Sequence, residues 1–194
     1  MSQKIKYIFI GASAGGIATI QKLFSQSSGK HQVPIVVVQH LPANSNLNLP
    51  LVFGAATENM NLVEVIDKTK IQKGHVYFAP PGYHLLIEKD DSFSLSQDDP
   101  VHFARPSIDV LFESAAHAYG PSVCGILLTG ANADGALGLK EIHDCGGYTM
   151  IQHPDDAEFS FMPQSALDLF QPDFVGSISD LSRKISELAR GNAQ

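Results

Sequence analysis

Short apolar runs rich in β-branched residues alternate along the chain with segments whose apolar residues recur every three or four positions. The first kind of run fits a strand and the second an amphipathic helix, so their alternation predicts strands joined by crossover helices over a parallel sheet. Tyr7–Ile10 opens the series, and Ile17, Ile20, Leu23 and Phe24 follow at helical spacing up to the polar stretch Ser25–Lys30. A second strand is expected over Pro34–Gln39, apolar throughout as suits a strand covered on both faces. It stops at His40-Leu41-Pro42, and Ala43–Leu51 reads as a polar loop.

Leu62–Ile66 and His75–Ala79 read as further short strands. His84–Lys89 and Ser92–Gln97 alternate apolar and polar positions on either side of Asp90-Asp91, which predicts an antiparallel hairpin on the sheet edge. Ser107–Ala118 carries helical periodicity with Ser107 near its N-cap. The strand Val123–Leu128 leads through Thr129–Gly135 into a helix over Ala136–Cys145. A strand over Tyr148–Gln152 follows, then helices from Pro163 and Ser179. The expected fold is α/β: a doubly wound, mostly parallel sheet with helices on both faces and an antiparallel edge hairpin, as one domain over residues 1–194.

Composition narrows the partners. The 194 residues are 44% hydrophobic and 17% charged, enough to bury one continuous core. Thirteen scattered basic residues against 20 acidic ones, a net charge of −7, argue against nucleic acid as a partner. The apolar run near the N-terminus reaches Gly11 too soon for a signal-peptide core or a membrane span, so an unexported, cytoplasmic protein that is not membrane-embedded is expected. Cys124 and Cys145 lie outside any CxxC pattern and away from His at metal-ligand spacing, and read as inert thiols. His153-Pro154-Asp155-Asp156 reads as a solvated turn. No metal and no cofactor are expected.

The candidate chemistry sits where strands end. Gly11-Ala12-Ser13-Ala14-Gly15 fits G-x-S-x-G, a sharp strand-to-helix turn that lifts a serine hydroxyl above the sheet. Its glycines permit positive φ and close backbone approach, and the Ala14 N–H at the following helix N-terminus is a natural oxyanion donor. A glycine-rich phosphate-binding turn would look similar on this segment alone. A dinucleotide site, however, would want an acidic residue at the end of the second strand, where Gln39-His40 stands, and no Walker lysine follows the turn. His40 is suited to take the Ser13 proton near neutral pH. Asp134, beyond the strand Val123–Leu128, is suited to orient the imidazole, or else simply to cap the next helix. In a parallel sheet these strand ends share one edge, which favours a Ser13–His40–Asp134 triad.

These residues resemble the catalytic domain of the chemotaxis protein-glutamate methylesterases. The resemblance runs through IGASAGG at 10–16, QHLP at 39–42, APPGYHL at 79–85, RPSIDVLFESAA at 105–116, LTGANADGALGL at 128–139 and FMPQSA around Met162-Pro163. It implies a serine carboxylic ester hydrolase that removes methyl esters from glutamyl residues on the cytoplasmic helices of chemoreceptor-like proteins, with glutamine deamidation as a related reaction. Carried over by position, Ser13 is the nucleophile, His40 the base and Asp134 the orienting acid, while Ala131 stands where the family's methionine gives an oxyanion N–H. Arg105 is a candidate for contact with an anionic peptide or a carbonyl, although an arginine before a helix cap also serves structure.

Three positions depart from the family. Ala14 replaces threonine, Gly130-Ala131-Asn132 replaces GMG, and the loop from Ala43 to Phe53 lacks the family's basic residue. These departures leave a methylesterase-like binding or regulatory module of weak activity as the alternative. The family's usual receiver domain does not precede the catalytic strand, so control by a separate regulatory protein, or activity without phosphorylation, is expected.

Overall fold

The protein is described from a computed structural model covering residues 4–27, 33–54 and 60–190. Part of the Ser25–Lys30 stretch therefore lies outside the described residues. Chain order runs β1 (Tyr7–Ala12), α1 (Gly16–Gln26), β2 (Ile35–Gln39), α2 (Leu49–Gly54), β3 (Asn61–Glu64), β4 (His75–Phe78), β5 (His84–Ile87) and β6 (Phe93–Ser96). It continues through α3 (Ile108–Tyr119), β7 (Val123–Leu127), α4 (Ala136–Asp144), β8 (Tyr148–Gln152), α5 (Phe161–Leu167), β9 (Phe174–Gly176) and α6 (Ile178–Arg190). Seven strands form one sheet in the order β3-β4-β2-β1-β7-β8-β9, and every neighbouring pair is parallel.

The central strands β1, β2 and β7 are almost wholly apolar because both faces are covered, whereas the edge strand β3 carries exposed Asn61 and Glu64. Alternate residues of β1 diverge: Ile8 and Ile10 face a core completed by α1, α2 and α6, and Phe9 faces a second core completed by α3, α4 and α5. Ile20, Leu23 and Phe24 bury the inner stripe of α1, while Ile108, Leu111, Phe112 and Ala115 bury that of α3. Helices α3 and α4 approach closely because Gly138 has no side chain, and a Cβ there would lie 2.8 Å from the Asp109 carbonyl oxygen.

Three elements differ from the sequence expectation. The hairpin β5–β6 forms a two-stranded sheet of its own, bridged to the 68–71 segment at Lys70–Ser92, and does not extend the edge of the large sheet. Its apolar positions Leu85, Ile87 and Phe93 bury against α3 in the second core, and the Ile87 N–H donates to Ser114 Oγ on that helix. The segment expected as a loop to Leu51 already turns helical at Leu49, so that Leu49 and Phe53 can cover the first core. β9 completes the sheet as a three-residue strand, too short to register as a periodic pattern.

Topology fixes where chemistry can occur. From β1 the chain passes to β2, out to the edge strand β3 and back inward to β4, then crosses to the other side of β1 as β7 and winds outward through β8 to β9. The winding direction changes between β1 and β7, and the carboxyl ends of strands at such a switch open onto a crevice.

Candidate active site

Ser13 follows β1 directly, His40 follows β2, and Asp134 lies in the loop after β7. The backbone locks these exits together: the Ser13 N–H donates to the Thr129 carbonyl, and the His40 N–H to the Ala12 carbonyl. The fully buried stretch of β1 ends at Ala12, and Ser13 to Gly15 are partly exposed. Only one of the two glycines framing the serine needs positive φ, namely Gly15 at +74°, which caps α1. Gly11 serves close approach instead, because a Cβ there would lie 2.3 Å from Ile108 Cγ2. Gly135 makes room for the same isoleucine, so the start of α3 wedges between the end of β1 and the Asp134 loop.

The three side chains meet in one hydrogen-bonded line. His40 Nδ1 lies 3.2 Å from Ser13 Oγ, and His40 Nε2 lies 2.7 Å from Asp134 Oδ2. A proton on Nε2, donated to the carboxylate, leaves Nδ1 free to accept from the serine hydroxyl, so the carboxylate selects the productive tautomer. The ring nitrogens thus serve in the reverse sense from chymotrypsin-like proteases, where Nε2 faces the nucleophile.

Asp134 is completely buried, yet every donor it needs is at hand. Oδ2 also accepts the Ile108 N–H at 2.7 Å, and Oδ1 accepts the Ser107 hydroxyl at 2.7 Å and the Asp109 N–H at 3.1 Å. The carboxylate therefore stands across the N-terminus of α3, where unpaired amides and the helix dipole favour negative charge. Burial pushes its pKa up, but His40, the Ile108 N–H and Ser107 together outweigh burial and hold the carboxyl below its usual range.

Further residues, not singled out by sequence as site residues, hold this frame. Gln39 Nε2 donates to the carbonyls of Ser13 and His40, bracing the serine turn against the histidine strand. The Thr129 hydroxyl donates to the Ala14 carbonyl, and its N–H donates to Gln152 Oε1. Ser107 caps α3 and at the same time supports Asp134. The sequence signal for Ser107 was its helix-cap position, which says nothing of a second partner. Asp109, on the first turn of α3, accepts the Gly138 N–H, and its other oxygen has His102 Nε2 at 3.4 Å without hydrogen-bond alignment. Burial, together with the charges of Asp134 and Glu113, raises its pKa to about 6 despite the Gly138 N–H and His102.

Beside His40 opens a cavity of about 410 Å³, walled by Leu41–Ala43, the segment from His102 to Pro106, and Asn132. Arg105 lines it, with Nη1 donating to the carbonyls of Gln97 and Asp98. That engagement folds the 97–105 segment over the cleft and leaves Phe103 fully exposed on its rim. Asn132 Oδ1 accepts the Asp134 N–H. Among the described residues, the Ala14 and Ala131 N–H groups have no protein acceptor. His153-Pro154-Asp155-Asp156 forms a single 3-10 turn in which Asp156 accepts from Gln152 Nε2 and the Ile178 N–H. A nucleophile, a tautomer-fixed base, a buried carboxylate and two amides at strand exits can together perform acyl transfer to water.

Comparison with known proteins identifies the family. The family model described as CheB methylesterase matches residues 8–185. A protein of Leptospira interrogans serogroup Icterohaemorrhagiae serovar copenhageni, provisionally named protein-glutamate methylesterase/protein-glutamine glutaminase, is 42% identical over 187 residues, 96% of each chain. A protein-glutamate methylesterase/protein-glutamine glutaminase of Hydrogenovibrio crunogenus is 34% identical over 95% of this chain, which spans 50% of that longer protein. The crystal structure of the Thermotoga maritima CheB methylesterase catalytic domain superposes with a TM-score of 0.89 at 27% identity, covering 95% of this chain and 98% of that one. The chain belongs to the CheB methylesterase family.

Proposed function

We propose that this chain is a protein-glutamate methylesterase that hydrolyses γ-glutamyl methyl esters on helices of chemoreceptor-type proteins in the cytoplasm, with glutamine deamidation as a second reaction of the same site. The observation that carries the reading is the continuous line from Ser13 Oγ through His40 to Asp134, at 3.2 and 2.7 Å, on the carboxyl edge of a parallel sheet. Relatives that match this chain carry both activities in their names. None of the described helices is long and apolar enough to cross a membrane, in keeping with a protein that meets its substrate from the aqueous side.

The reaction follows from the tautomer. His40 Nδ1 takes the hydroxyl proton as Ser13 Oγ bonds to the ester carbonyl carbon, and the imidazolium is held by the Asp134 carboxylate. The Ala14 and Ala131 N–H groups receive the developing oxyanion, with the N-terminus of α1 adding its positive pole. His40 returns the proton to the methoxy oxygen, the C–O bond breaks and methanol leaves. Water then adds to the acyl-serine with His40 again as base, releasing glutamate and restoring Ser13. With a glutamine substrate the leaving group is ammonia. Arg105, by holding the 97–105 segment, shapes the wall against which the substrate peptide lies.

Methanol release from a methylated chemoreceptor fragment by the purified chain, compared with Ser13→Ala, tests the reading. The expected loss in the variant is at least about 10³-fold. Equal release by the two proteins overturns it and leaves a binding module.

A further inference from the structure

We infer that His117, Glu141 and Cys145 form a metal site for a borderline divalent cation such as zinc, on the side of the molecule where α3 and α4 end. His117 stands in the last turn of α3, Glu141 near the end of α4, and Cys145 at its C-cap. Their ligand atoms lie within 4.8 Å of one another: His117 Nε2 is 3.0 Å from Glu141 Oε1, and Cys145 Sγ is 3.7 Å from the same oxygen. Around a tetrahedral zinc, with metal–ligand distances of about 2.0–2.3 Å, neighbouring donors stand about 3.3–3.7 Å apart. The cluster therefore needs adjustments of a few tenths of an ångström at Glu141 and a rotamer movement at His117, whose side chain is 65% exposed and free to make it.

Three features make the cluster more than a surface ion pair. The donors are imidazole, carboxylate and thiol, a set that suits zinc and not magnesium or calcium, and three protein donors leave the fourth position to water. Two of them are one helical turn apart on α4, and the third comes from a helix fixed against it by the close contact at Gly138. Both helices are parallel, because Asp109 in the first turn of α3 accepts the Gly138 N–H in the first turn of α4. Their C-terminal poles thus converge on the cluster, where a cation is favoured and an uncompensated carboxylate is not. Binding releases the Cys145 proton to solvent. The ion ties together the far ends of the two helices whose near ends hold Asp134.

Cobalt(II) replaces zinc at such sites and reports the thiolate through charge-transfer absorption in the near ultraviolet. The reduced chain, titrated with Co²⁺ and then with Zn²⁺ against a chromophoric chelator, should bind one ion per chain with that band. Cys145→Ser should lose the band and bind Zn²⁺ at least about tenfold more weakly. Cys124, the other cysteine, is wholly buried, so the band reports Cys145 alone. His117→Ala, an exposed change that leaves the fold intact, should weaken Zn²⁺ binding likewise while keeping a thiolate band at higher Co²⁺. Zn²⁺ should raise the melting temperature of the wild type and not of Cys145→Ser. Absence of the band in the wild type, or equal Zn²⁺ affinity in all three proteins, overturns the inference.

Discussion

Asp134→Asn is the most informative single change, because its outcome follows from counting donors. The carboxylate accepts four: His40 Nε2 and the Ile108 N–H on Oδ2, the Ser107 hydroxyl and the Asp109 N–H on Oδ1. Asparagine must turn its NH₂ toward one pair. Facing His40 and Ile108, the NH₂ opposes the Ile108 N–H and forces the imidazole into the wrong tautomer. Facing Ser107 and Asp109, it opposes only the Asp109 N–H, since the hydroxyl can rotate to accept. The second orientation wins, so the tautomer survives and what is lost is the charge that stabilises imidazolium. A unit charge at about 4 Å with an effective dielectric near 20 is worth about 4 kcal/mol. The expected fall in kcat is therefore about 10²–10³-fold, with kcat/KM falling equally and KM little changed.

Stability moves too: one opposed N–H costs about 1–3 kcal/mol, and loss of the negative charge at the N-terminus of α3 about 0.3–2 kcal/mol. Steady-state methanol release gives the kinetic terms, and urea denaturation gives the stability. Asp134→Ala, which abandons the tautomer as well, should fall at least tenfold below Asp134→Asn. An asparagine variant that keeps more than a tenth of the wild-type kcat would refute the reasoning.

Three further changes probe the frame. Ser107→Ala removes the α3 cap and one support of Asp134, and should cost about 1–2 kcal/mol in denaturation with a loss in kcat that its KM does not share. Gly16→Ala should cost about 1–3 kcal/mol, since its Cβ would meet Gln39 Oε1 at 2.0 Å and the Ala12 Cβ at 2.8 Å; unaltered stability in urea would contradict the close approach. Asp109, with its folded pKa raised to about 6 above an unfolded value near 3.9, favours the protonated fold. Its contribution is full below the unfolded value and is lost as pH rises through about 6, a span of roughly 2–3 kcal/mol. Asp109→Asn should flatten the stability profile between pH 4 and 6, and a profile identical to wild type argues against a buried carboxyl there.

The fold was legible where burial is two-sided. β1, β2, β7 and β8 are buried on both faces and largely apolar, and such runs beside turn residues admit few readings. The hairpin was legible as a hairpin from its alternation around Asp90-Asp91, but alternation reports only that one face is buried. Whether that face meets a sheet edge or α3 depends on residues as distant as Ser114. α2 was hidden for a different reason: its six residues include Pro50, and its two buried residues, Leu49 and Phe53, complete a single turn.

The candidate site divides along the same line. Ser13, His40 and Asp134 each follow a strand directly or within one loop, and a parallel sheet brings its strand exits to one edge, so local sequence suffices to group them. What makes the group competent is non-local. Gly11 reads as a turn glycine that permits positive φ or close approach, but the sequence does not say that what approaches it is Ile108, 97 residues on. Ser107 reads as a cap, yet with His40 and the Ile108 N–H it holds the Asp134 carboxyl below its usual range against the upward push of burial. The carboxylate is therefore the inserted wedge's counterpart as much as the histidine's partner. A substitution that shifts α3 away from Gly11 and Gly135 would raise the Asp134 pKa and slow the reaction without touching any member of the triad, and Ile108→Ala, which empties the wedge, is the change that would reveal it.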